Sequence, residues 1–190
     1  VNYFVGGFLV LMFAYTIRFL AVGNGAVKSG VLRIDPNLMN ASQTMGISFF
    51  QSLRKSNIYC VDTWVKTNEY TNHISFSHIE DNFDFNTKEY KNIYKLKNTS
   101  DSFFIKNKVM YDAIYIDGYH LGTQVYKDCT NSWKFLKNKG FLICDDYIWD
   151  FYKDIEDNQC YAINKFLKEI NGCYKIQKIS NIQIFIKKIN

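Results

Sequence analysis

Tyr111-Asp112-Ala113-Ile114-Tyr115-Ile116-Asp117-Gly118-Tyr119-His120 and Leu136-Lys137-Asn138-Lys139-Gly140-Phe141-Leu142-Ile143-Cys144-Asp145-Asp146-Tyr147 decide the fold. Each contains an apolar run that stops on acid: Asp117 in the first, Asp145-Asp146 in the second. Between them Val125, Cys129, Trp133 and Leu136 fall at i, i+4, i+8 and i+11, the spacing of one helix face. Gly140 stands where a C-terminal cap is expected. Strand, helix and strand in that order predict a right-handed βαβ unit and a parallel sheet. The runs are continuous and not alternating, as in strands covered on both faces. Ligands of such sheets bind outside the carboxyl ends of the strands. Asp117, Asp145 and Asp146 are therefore expected to line one cleft.

The same grammar extends in both directions. Toward the N-terminus, Ile58-Tyr59-Cys60-Val61 is a compact strand ended by Asp62, and Ile93 to Leu96 is another. The polar and aromatic segment between them carries a predicted helix over Ile79 to Tyr90. Gly46 to Lys55 reads as a short helix, with Ile47, Phe50 and Leu53 on one face. Before it, the glycine-containing stretch Gly23 to Gly30 leads into a short strand, Val31 to Ile34, closed by Asp35-Pro36. Toward the C-terminus, Ile163, Phe166, Leu167 and Ile170 mark a helix over Cys160 to Ile170 that stops at Asn171-Gly172. Tyr174 to Ile179 and Ile182 to Ile189, joined at Ser180-Asn181, predict a hairpin.

The length, 190 residues, is that of one ordinary domain with room for a short appendage. A hydrophobic share of 47% with 17% aromatic residues gives a substantial core and excludes a disordered chain. The net charge of +5 is mild. Lys175, Lys178, Lys187 and Lys188 alternate with apolar residues, the pattern of a solvated strand face, so no nucleic-acid partner is expected. The five cysteines are odd in number and form no Cys-x-x-Cys pair. They read as reduced thiols of a cytoplasmic protein, with Cys60, Cys129 and Cys144 buried as small hydrophobes.

From Val1 to Val22 the only strongly polar side chains are Asn2, Thr16 and Arg18. That length is about the roughly 20 apolar residues a bilayer span takes. The alternatives are a helix packed on the domain or an oligomer interface. The reading divides the chain into an apolar N-terminal segment, 1–39, and an α/β domain, 40–190, with membrane association through residues 1–22 and homo-oligomerisation as candidate properties.

Three carboxylates at adjacent strand ends repel one another unless something positive lies between them. A divalent cation is the simplest answer, because hard cations take oxygen ligands. The plainer alternative is that Asp145 or Asp146 caps a helix and Asp117 makes a turn with Gly118. His120 lies three residues past Asp117, and because an ordinary histidine side chain titrates near neutral pH it is the candidate base for a hydroxyl proton. Asp62 occupies the position at which a doubly wound sheet sets an acid against ribose hydroxyls.

Taken with Ile58-Tyr59-Cys60-Val61-Asp62-Thr63-Trp64, the two opening stretches resemble the class I S-adenosylmethionine-dependent methyltransferases. The resemblance is to the small group whose fourth strand ends in Ile-Asp-Gly-x-His, and Gln183 to Lys188 is similar to that group's last strand. It runs over roughly residues 40 to 190. It implies a Rossmann-like doubly wound sheet of about seven strands with the last antiparallel. It implies S-adenosylmethionine at the first strand ends, with Gly46, Ser48, Asp62 and Asp117 as its contacts. Metal-dependent members place Mg2+ on the acid after strand four and two residues after strand five, here Asp117, Asp145 and Asp146. The catechol type has its base three residues beyond the first acid, where His120 stands. The family's first loop reads Glu-x-Gly-x-x-x-Gly-x-Ser, whereas Asn40 to Ser48 retains only Gly46 and Ser48. The lead-in before residue 40 departs from the family, as expected of a fragment, an altered N-terminus or an added anchor.

The reading that follows is metal-assisted O-methylation of a small-molecule or sugar hydroxyl. The alternatives are a metal-independent methyltransferase of the same fold, or a non-catalytic module with an eroded cofactor loop.

Overall fold

The computed structural model describes residues 56–65, 78–179 and 182–190. The apolar segment, the strand expected at 31–34, the helix expected at 46–55, Gly46, Ser48 and the boundary at 39/40 lie outside the described residues. The chain divides into two compact units, 1–97 and 98–190. Among the described residues no helix is long and apolar enough to cross a membrane.

In the first unit β1 (Ile58–Asp62) pairs in parallel with β2 (Ile93–Lys97), Ile58 opposite Ile93 and Asp62 opposite Lys97. The connection includes α1 (Ile79–Thr87), which is shorter than the expected helix to Tyr90. Phe83 on α1 is buried and packs against the Trp64 ring at 4.7 Å. Lys95 and Lys97 on β2 reach Glu80 and Asp84 of α1 at 2.7–2.8 Å. These pairs are solvent-facing, so they orient the helix more than they stabilise it. Cys60 is only partly buried, yet that burial pushes its thiol up to about 12, which leaves it unreactive.

In the second unit four strands run in the order β3-β4-β6-β5. β3 (Tyr111–Ile116) and β4 (Leu136–Cys144) are parallel, joined through α3 (Gly122–Phe135). α2 (Ser100–Lys106) precedes them. α4 (Gln159–Glu169) follows β4 after a short 3-10 turn at Ile155–Asp157. β6 (Ile184–Lys188) is antiparallel to both β4 and β5 (Tyr174–Ile179), so the expected hairpin closes the sheet with its last strand reversed. Gly172 takes φ +82 just after α4, the left-handed conformation that ends a helix most cheaply on glycine.

The core explains the sequence pattern. Val125 and Cys129 of α3 join Ala162, Ile163, Phe166 and Leu167 of α4 against Leu142, Cys144, Ile184 and Ile186 of the sheet. On β4, Phe141 and Ile143 alternate with Leu142 and Cys144, and all four are buried. Because successive strand residues face opposite sides, both faces of β4 are covered. That is why the run reads as continuously apolar.

Two local expectations are corrected. Gly140 does not cap α3: the helix ends at Phe135, Leu136 is already extended, and Lys139 takes φ +66. Gly140 is required by space, since a Cβ there would meet the Asp112 and Lys137 carbonyl oxygens at 2.8 Å. The cap comes instead from Lys188, whose ammonium donates to the carbonyls of Trp133 and Leu136 at 2.8 and 2.9 Å. A cation there satisfies orphan carbonyls and complements the helix dipole. Lys188 is thus not simply part of a solvated strand face.

Candidate functional site

Asp117 directly follows β3, and Asp145-Asp146 directly follow β4. The Asp145 amide donates to the Ile116 carbonyl at 2.9 Å, which continues the parallel pairing one step beyond β4. Adjacent parallel strands that end level bring these acids to one edge of the sheet. His120, two residues before α3, is carried back over the same edge. Its Nε2 lies 3.7 Å from Asp117 Oδ1 and 3.4 Å from Asp146 Oδ2. One donor atom from each of Asp117, His120 and Asp146 lies within 4.8 Å of the others.

The three side chains differ in exposure. Those of Asp117 and His120 are each 9% exposed, and that of Asp146 is 40% exposed. The cluster is therefore open to solvent on the Asp146 side. Asp146 holds φ +47, a left-handed conformation that aspartate tolerates better than most residues but still at some cost. Its carbonyl accepts from the Gln159 amide and the Trp149 N–H, both at 2.8 Å, and these bonds hold the strained turn. The Trp149 ring stands edge-on to His120, 4.4 Å between centroids, and stacks on Phe151 at 5.2 Å. Sequence reasoning missed Trp149. The aromatic run after Asp146 contains three other candidates, and only the turn at Asp146 selects this one.

Asp145 points elsewhere. It is 5% exposed, and its Oδ2 accepts a short hydrogen bond from the Tyr115 hydroxyl. Gln183 in turn donates to that hydroxyl oxygen at 3.4 Å. Burial raises the Asp145 carboxyl from an ordinary 3.8 to about 6, and the negative charges of Asp117 and Asp146 add to the rise. The hydrogen bonds from Tyr115 and Gln183 work against it.

This shift has a sign that can be tested. The folded chain holds the Asp145 proton more tightly than the unfolded chain, so the group favours folding at low pH. That contribution is fully present below about 4 and is lost as pH rises through about 6. Asp145→Asn removes the buried charge. At pH 8 without divalent cations the variant is expected to be more stable by about 1–3 kcal/mol. The gain should shrink to nothing near pH 4. Thermal unfolding at the two pH values checks this, and a gain of equal size at both would show that charge burial is not the cause.

A cation about 2.1 Å from two ligands at tetrahedral or octahedral angles leaves them about 3.0–3.4 Å apart. The separations of 3.4 and 3.7 Å from His120 Nε2 approach that spacing. Two carboxylates and an imidazole are a chemically sound donor set for a divalent ion. In the first unit Asp62 ends β1, and its Oδ1 accepts from the Trp64 N–H at 2.8 Å. The sequence reading placed Asp117, His120, Asp145 and Asp146 together, and the structure brings all four to one strand edge.

The sequence profile of a family described as a methyltransferase domain matches residues 41–147. That is more than half of the chain. The chain belongs to this methyltransferase-domain family. Comparison with curated protein sequences finds no match. Among solved structures the domain is similar to the O-methyltransferase NovP, at 12% identity and a TM-score of 0.57 over 75% of this chain. It spans 64% of NovP, less than two thirds of that protein's length. A candidate rRNA-methylase from Clostridium thermocellum aligns at 12% identity and a TM-score of 0.51, covering 70% of this chain and 75% of that one. A candidate caffeoyl-CoA O-methyltransferase from Staphylococcus aureus aligns at 13% identity and a TM-score of 0.50, covering 79% and 72%. At these identities the likeness is one of fold: the methyltransferase domain is Rossmann-like and of the class I type.

Proposed function

We propose that this methyltransferase domain moves a methyl group from S-adenosylmethionine to a hydroxyl of a small molecule or sugar, with a divalent cation at the β3–β4 edge. The observation that carries the reading is the Asp117–His120–Asp146 cluster at the carboxyl ends of two parallel strands. Family membership supports the cofactor, and Gly46, Ser48, Asp62 and Asp117 are its proposed contacts. A bound cation supplies Lewis acidity, which lowers the pKa of a coordinated hydroxyl.

The chain's own residues do the rest. Asp117 and Asp146 offer the carboxylate oxygens, and Asp145 lies behind them on Tyr115. Nearly complete burial of Asp117 and His120 excludes water from one side of the site, which strengthens every charge interaction there. The open Asp146 side admits the acceptor. Methyl transfer makes an O–C bond, breaks the S–C bond and releases the hydroxyl proton, so a group near Asp146 must accept that proton.

A metal-independent transferase of the same fold is the second reading, and one observation favours it. The Asp145 carboxylate is turned to the Tyr115 hydroxyl, so two carboxylates and not three meet in the cluster with His120.

Incubation of the full chain with methyl-labelled S-adenosylmethionine and a panel of sugar and phenolic acceptors separates the two. Label is expected in a hydroxyl product, lost with a chelator and restored by Mg2+ or Mn2+. Transfer untouched by the chelator selects the metal-independent reading.

A further inference from the structure

The geometry points to His120 as a ligand of the cation and not as the base, so that the donor set is Asp117, His120 and Asp146 and prefers ions that accept imidazole. This inference rests on the metal-assisted reading above and deepens it.

Four observations converge on it. First, His120 Nε2 lies between two carboxylate oxygens, at 3.7 Å from Asp117 and 3.4 Å from Asp146. These separations are longer than a good N–H···O bond of about 2.9 Å and close to the spacing of two ligands across one ion. Second, the His120 side chain is 9% exposed, and its ring packs at a steep angle against Trp149, 4.4 Å between centroids. A ring so fixed is suited to a constant coordination angle. Third, Asp145, the other candidate ligand, has its Oδ2 committed to Tyr115 and contributes no atom to the group within 4.8 Å that Asp117, His120 and Asp146 form. Fourth, Asp146 alone of the three is partly exposed, so a cation held here keeps an open side for the acceptor oxygen.

The chemistry of the donors then sets the preference. Mg2+ takes oxygen ligands and keeps several waters, whereas imidazole suits first-row transition ions such as Fe2+, Ni2+ and Zn2+. A site of one nitrogen and two carboxylates should therefore rank Zn2+ and Fe2+ above Mg2+, with Mn2+, the weakest-binding of the first-row divalent ions, between them.

Manganese alone serves as the probe. Pulsed electron paramagnetic resonance on the full chain loaded with Mn2+ is expected to show modulation from one directly bound imidazole nitrogen. His120→Gln is expected to abolish that modulation and weaken Mn2+ binding by about 10–100-fold, an effect comparable to loss of a tuned ligand environment. Asp145→Asn is expected to keep the modulation and to weaken Mn2+ binding less than His120→Gln does, since it removes a nearby charge but no ligand. The wild-type spectrum needs no variant to fold, and circular dichroism confirms the fold of both variants.

Tight Mn2+ binding without nitrogen modulation, weakened by Asp145→Asn, overturns the inference. The cation then sits on Asp117, Asp145 and Asp146 and the proposed function stands. No Mn2+ or Mg2+ binding by folded wild-type chain overturns the inference together with the metal-assisted reading.

Discussion

Asp117→Asn is expected to lower kcat/KM for methyl transfer by about 10³-fold, roughly 4 kcal/mol of lost transition-state stabilisation. The argument starts from position. Asp117 ends β3, its side chain is 9% exposed, and its Oδ1 faces His120 Nε2. An amide there keeps the shape and removes one of the charges that hold a cation in a water-poor site. Low exposure makes each remaining charge count for more. The loss should fall on kcat and on cation affinity together, because a cation that leaves takes its Lewis acidity with it. Steady-state kinetics over a range of Mg2+ and Mn2+ concentrations check this. A change of only a fewfold at every cation concentration would show that Asp117 carries no metal.

Phe166→Ala is expected to cost about 3–5 kcal/mol of folding stability, the usual range for emptying a fully buried aromatic site. Phe166 is 2% exposed and meets Trp133 edge-on at 5.8 Å between centroids. Among the described residues it lies in the buried cluster that joins α3 and α4 to β4 and β6. At roughly 2–4 °C per kcal/mol for a chain of this size, the midpoint of thermal unfolding should fall by about 10 °C. Tyr161→Ala on the same helix, 40% exposed, is the control and should stay within about 0.5 kcal/mol. Equal losses at both positions would mean that the cluster is not what holds the unit together.

The elements that build this site were legible because their burial is written in their periodicity. Leu142, Ile143 and Cys144 are apolar in succession since both faces of β4 are covered. The face of α4 repeats at helical spacing because it meets that sheet. α2 was not anticipated, although Thr99 caps it by accepting from the Ser102 N–H at 3.2 Å. A helix of 7 residues with no buried side chain leaves almost no periodic signal, and the threonine cap was the only cue. Gly140 was misread because a glycine kept for space and a glycine kept for a left-handed turn look alike in sequence.

At the site the residue set was legible and the division of labour was not. Asp145 continues the extended run of β4, whereas Asp146 takes φ +47, so the chain turns between the two side chains. Asp146 therefore turns to His120, while Asp145 turns to Tyr115. Nothing in the order Asp145-Asp146 says which faces the cleft. Tyr115 and Trp149 were equally hidden, since their roles depend on where the next strand and turn bring them.

Titration calorimetry of the full chain with S-adenosylmethionine, with and without Mg2+ or Mn2+, tests the central claim most directly. The account predicts saturable binding at one site per chain, made tighter by the cation. Folded chain that gives no binding heat with the cofactor in either condition contradicts it.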